Sequence, residues 1–304
     1  MEESLSSEVY ETPIDWPLLT YISTGITLGC LVLSVLLNLS SLCAIWGNQR
    51  LRKYGYFHLL ILFCEVHMAY FVVKSLLSVH LSLEKLGALS QNWIKTWTPV
   101  IRLLPDVTTC LLGTSLLLLI AMTLDCTFSN SIRSKPIIKC LRTFLPFVAL
   151  IIGIMVFLIV LVAKFNMLFD SVFKFSAVFT IILVHGLYMV VFVLFPAVFI
   201  VIFGTINWVS DLNSNRFLKE PRRRSRKLDH QICVLSIPVI LLFLVATIIR
   251  FSHDLQIYQS EELSEITQLV LYSVLLALDV SFVFYPLLFM CQLGGYCCCL
   301  EKPN

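Results

Sequence analysis

The chain has 304 residues, 58% of them apolar and only 13% charged, with a net charge of +3 and a mean hydropathy of +0.89. Soluble domains carry about 45–50% apolar and about 25% charged residues, so this chain has too little charge to cover a water-facing globule. Large cytosolic catalytic domains, nucleic-acid-binding modules and disordered scaffolds are excluded, because only short segments remain between the apolar runs. The expected fold is all-α, a helix bundle in lipid.

A span needs about 20 mainly apolar residues to cross roughly 30 Å of hydrocarbon. The first is expected at Pro17 to Trp46, within a run free of Asp, Glu, Lys and Arg between Asp15 and Arg50. The second, Phe57 to Leu81, carries Glu65 and Lys74. The third, Pro99 to Leu124, is uncharged from Val107 onward, and the fourth is Thr143 to Ala163. The fifth lies within Phe175 to Ser210, the sixth is Ile232 to Ile249, and the seventh, Ile266 to Met290, is interrupted only by Asp279. Residues 1–16 then form a short segment before the bundle, 17–290 the seven-transmembrane bundle, and 291–304 a short tail.

Lys and Arg are retained on the cytoplasmic side of short loops. With the N-terminus outside, the inner segments hold Arg50, Arg52 and Lys53, then Arg133, Lys135, Lys139 and Arg142, then seven bases from Arg216 to Lys227, and Lys302. The outer segments hold only Lys85, Lys95, Lys164, Lys174 and Arg250. This predicts a multi-pass plasma-membrane protein with its N-terminus outside and its C-terminus cytoplasmic. Met1 to Trp16 has no basic n-region, so the first span is expected to act as its own signal anchor. No cysteine falls in an outer loop, and the one N-x-S/T sequon, Asn38-Leu39-Ser40, lies within the first span. An outer surface without disulfides or N-linked sugar is expected.

Seven spans, this orientation and a basic third inner loop resemble the rhodopsin-like class of G-protein-coupled receptors. Asn38 in the first span and Glu65 in the second match that family's Asn and acidic residue. Asp125 and Cys126 with Ser115 upstream are similar to the end of its third span, Pro196 to its fifth-span proline, and Tyr285-Pro286-Leu287-Leu288-Phe289 to its last-span Asn-Pro-x-x-Tyr. The pattern departs at Cys126, where the family has the Arg that engages the G protein, at Tyr285 and Phe289, and at Ser236, two residues before Pro238, where the family has Trp. The resemblance implies a receptor of divergent type that passes an extracellular signal to a heterotrimeric G protein. It implies Pro196, Pro238, Tyr285, Pro286 and Phe289 as hinge and switch positions, with the sixth span swinging around Pro238. The amine-binding Asp of the family would fall at Thr108 and the opsin Lys at Asp279, so neither an amine nor retinal is the expected ligand.

The polar residues inside the spans carry a reading of their own. A carboxyl at the bilayer centre costs about 2.5–3.5 kcal/mol, so Glu65 is expected to face the bundle. Packed as in the family, Asn38, Glu65, Ser115 and Ser281 would meet near the midplane. They would hold a sodium ion or a proton; the other reading is a protonated Glu65 bonded to Asn38 as structural glue. Nearer the outside, Lys74, Arg102, Asp106, His185 and Asp279 would line a cavity for a small polar or zwitterionic ligand. The plainer alternative has Lys74 snorkelling to the headgroups and Arg102 pairing with Asp106 one turn away.

On the inner side, Arg222, Arg223 and Arg224 begin a basic run that stops transfer and attracts anionic membrane lipid, and with Asp125 and Cys126 would face a G protein. Ser225 within it suits a basophilic kinase, and Cys297, Cys298 and Cys299 read as palmitoylation sites. The six histidines form no H-x-x-x-H pair and no G-x-S-x-G is present, so neither an enzyme, a metal nor a cofactor is expected. No internal repeat or matched pair of broken helices points to a transporter. The remaining alternative is a receptor fold that does not signal and acts as scaffold or partner for another membrane protein.

Overall fold

The computed structural model describes residues 16–48, 55–131, 136–169, 177–214, 220–258 and 265–300. These residues are helical apart from Asn48 and a turn after Lys85 that includes Gly87 at φ 65°, a left-handed conformation that glycine adopts without strain. Seven helices are long and apolar enough to cross a membrane. They are α1 (Trp16–Gly47), α2 (Gly55–Lys85), α3 (Gln91–Ser131), α4 (Pro136–Phe169), α5 (Ala177–Leu187, continuing through Tyr188–Leu194 to Phe195–Ser214), α6 (Glu220–Tyr258) and α7 (Glu265–Leu300). The uncharged runs located every helix but clipped some ends. α3 starts before Pro99 and α6 continues past Ile249, because the added turns carry Lys95 in α3 and Arg250 and Asp254 in α6.

Each helix packs on its successor and α7 returns to α1, which closes a ring. α3 runs through the middle, touching α2, α4, α5 and α6. Its apolar stretch is 89% buried, against 28 to 50% in the other spans. A helix buried all round must be apolar all round, and Leu111 to Met122 has that pattern. Close approach depends on glycine at two points. A Cβ on Gly113 would collide with the Phe192 ring, and one on Gly153 with the Thr114 hydroxyl. Trp93 and Trp97 pack with their rings tilted by 32° on the exposed side of α3 near its start, as expected of aromatics at a membrane interface.

α5 widens into π-helical turns over Tyr188–Leu194, and the Phe195 N–H bonds back to the Val190 carbonyl. Pro196 supplies the reason: it has no N–H, and its ring displaces the carbonyl four residues earlier. The extra residue in the turn turns Tyr188 and Phe192 into the core, where both are buried.

Candidate functional site

α2 and α7 meet along an antiparallel seam at helical spacing. Phe63, His67, Tyr70 and Lys74 face Phe289, Tyr285, Phe282 and Asp279. In its middle, His67 stacks on Phe63 and Phe282 with centroids 5.2 and 5.1 Å away. Its Nε2 lies 3.1 Å from the Phe282 carbonyl oxygen, which can only accept, so Nε2 carries the proton. Nδ1 then accepts, from Asn38 Nδ2 at 2.9 Å and Ser34 Oγ at 3.0 Å. One neutral imidazole thereby ties α1, α2 and α7 together.

Glu65 was expected in that position and is not there: it is exposed on the opposite side of α2. Two residues along a helix turn about 200°, so placing His67 inside necessarily turns Glu65 out. Asn38 pairs with histidine rather than with a carboxyl, and both readings of a Glu65–Asn38 site, sodium or structural, are replaced. Ser115 is buried and bonds within α3 to Leu111, while Ser281 is half-buried.

Two charge clusters lie toward the end that the basic residues assign to the outside. In the first, Asp279 on α7 is 1% exposed. It accepts a 2.5 Å hydrogen bond from the Tyr70 hydroxyl and a 3.4 Å bond from Thr27, and Lys74 Nζ lies 3.7 Å away. Lys74 therefore does not snorkel; it is buried against its counter-charge. In the second, Lys164 on α4 lies 3.8 Å from Asp106 and 3.5 Å from Asp254. Tyr188 donates to Asp106 at 3.0 Å, and His185 Nε2 lies 3.0 Å from Asp254. Arg102 is exposed, and Asp106 pairs across the bundle with α4 and α5 rather than one turn along α3.

Between the clusters opens a cleft of about 370 Å³ lined by Tyr70, Lys74, Thr109, His185, Tyr188 and Arg250 among others. Only about 20 Å³ of it can take the centre of a water molecule, room for a water or two. Among the described residues no carboxylate lines it; its ionisable lining consists of Lys74, His185, Arg250 and two tyrosines. Arg250 donates to Thr109 Oγ1 at 2.6 Å and to the Pro105 carbonyl at 3.4 Å, both neutral acceptors. Comparison with protein-family models and with curated proteins returns no match for the chain.

The five residues expected around the cavity thus divide: Lys74 and His185 line the cleft, Asp279 and Asp106 stand behind it, held by Tyr70 and Tyr188, and Arg102 is exposed and takes no part in the lining. Sequence reasoning missed Arg250 and Lys164, which it placed in outer segments, and also Asp254 and His67. The inward stripe of α6, Val239, Phe243 and Ala246, continues by helical spacing to Arg250 and Asp254 and was the available signal. At the other end Asp125 is buried, Tyr285 bonds the Ser236 hydroxyl at 3.0 Å, and Phe289 packs on Phe63. The Ser–Tyr bond joins α6 to α7. Pro238 and Pro286 lie inside α6 and α7. The side chains of Cys126, Arg222, Arg223, Arg224, Ser225, Cys297, Cys298 and Cys299 lie outside the described residues.

Proposed function

We propose that the chain is a divergent receptor of the rhodopsin-like kind, at the plasma membrane with its N-terminus outside, transmitting binding of a small polar or zwitterionic ligand to a cytoplasmic G protein. The observation that carries this reading is the cleft among α2, α3, α5, α6 and α7, with buried charge around it inside an otherwise apolar bundle. Buried charges are expensive and folding alone does not require them, so their concentration beside a cleft favours a binding role. The cationic lining favours a ligand with its negative end between Lys74 and Arg250. Because the cleft admits little more than water, a ligand must bind a state in which α5 and α6 part, which couples binding to movement of α6 about Pro238. The column from Asp279 through Phe282 and Tyr285 to Phe289 offers a packed route to the inner end.

Cys126 in place of the family's arginine favours a second reading, a receptor fold that serves as a partner for another membrane protein. G-protein activation in cells by wild type and Cys126→Arg, at matched surface expression and across all G-protein classes, separates the two. Wild-type activity supports the receptor. Silence in wild type with activity in Cys126→Arg supports the partner reading, and concentrative uptake into proteoliposomes overturns both.

A further inference from the structure

The face that α2 turns away from the bundle carries His58, Glu65, Ala69, Val72 and Leu76, all exposed. Glu65 forms no hydrogen bond or ion pair with any described residue. It lies ten residues, about 15 Å, along α2 from Gly55 and inside the apolar span of that helix, and so at hydrocarbon depth. A lysine at that depth snorkels out on four methylenes; a glutamate has two, and its carboxyl stays among the lipid tails. Left there charged it is strongly disfavoured, and left protonated it has a donor and an acceptor that hydrocarbon cannot satisfy.

We propose that this face is a homodimer interface in which Glu65 pairs with Glu65 of a second copy across a two-fold axis. A protonated carboxyl is its own complement: each O–H donates to the other's carbonyl oxygen, closing two hydrogen bonds and leaving no polar atom facing lipid. A two-fold contact brings the same residue from both sides, and every copy of the chain supplies it. Ala69, one turn along on the same face, is small enough for the two backbones to approach within reach of that pairing. The charge clusters and the His67 network lie on other faces, so the dimer leaves the cleft untouched and does not depend on the receptor reading.

The test is to count photobleaching steps for full-length chain, labelled one dye per molecule, in phosphatidylcholine vesicles at low protein density. Wild type is expected to bleach mainly in two steps and Glu65→Leu in one. Ala69→Phe is expected to weaken association at least tenfold. Glu65→Leu should leave the melting temperature of the detergent-solubilised monomer unchanged, because this side chain bonds to no described residue of its own bundle. Single-step bleaching of wild type, or two-step bleaching of Glu65→Leu, overturns the proposal, whatever other protein the face meets in a cell. A fall of several degrees in the melting of Glu65→Leu overturns it as well, since Glu65 would then face inward.

Discussion

Asp279 and Lys74 are each at most 9% exposed, and their stability rests on one another and on the Tyr70 and Thr27 hydroxyls. Removing one member of such a pair strands a charge where no water can reach it, which costs more than the pair contributes. Asp279→Asn is expected to lose about 3–5 kcal/mol of stability by leaving Lys74 uncompensated. Adding Lys74→Met should recover most of that loss, since Met fills the same space without a charge. Thermal unfolding of the purified variants measures this, and a double mutant no better than Asp279→Asn would mean that the two residues are not coupled. His67 is the opposite kind of buried polar residue: its two nitrogens have partners without any ion pair, and its ring does the packing of an aromatic.

At the level of elements, α1 shows how a helix with little charge can still specify a neighbour. Thr20, Thr24, Thr27, Ser34, Asn38 and Ser41 recur at helical spacing. Thr20 accepts from Lys85, Thr24 bonds Ser82 and Ser78, Thr27 reaches Asp279, and Ser34 and Asn38 meet His67. In lipid, where both faces of a helix are apolar, such a polar stripe fixes register and rotation. Glycines on the packed helices act through space instead. Gly113→Ala is expected to lose about 1–3 kcal/mol by forcing the Phe192 ring off its position, whereas Gly25→Ala, with nothing within 4 Å, should be neutral or gain up to about 1 kcal/mol. Equal effects at the two sites would mean that α3 and α5 are not packed as closely as described. The π-helical turns of α5 belong with this contact, because they bring Phe192 against Gly113.

For the whole molecule, the closed ring around α3 gathers the buried ion pairs of the described residues toward one end and aromatic packing toward the other. The proposed orientation is checked by epitope tags: an N-terminal tag should stain on intact cells and a C-terminal one only after permeabilisation. The reverse pattern would put the charged cleft on the cytoplasmic side and remove the basis for an extracellular ligand. Much of the architecture could be read from hydropathy, since spans are long apolar runs and α3 is uncharged over the stretch that the structure buries. Less of the site could be read. The notion that charge gathers near Lys74, Asp106, His185 and Asp279 was legible, but the partner of each was not, because ion pairs such as Lys164 with Asp254 join helices far apart in sequence.

The sequence by itself determined that this is a membrane-spanning helical bundle and where its seven spans lie, because hydrocarbon selects apolar length and nothing more local. It did not determine which face of each span turns inward. Lipid tails and a packed bundle interior are equally apolar, so a span carries little of the apolar-to-polar contrast that orients a helix in a soluble protein. Only the tertiary structure decided that α2 turns His67 to Asn38 and Glu65 to the outside. The cause is the packing of its Phe63, His67, Tyr70 and Lys74 stripe against α7, which fixes the rotation of α2 and with it the side on which every polar residue of that helix lies.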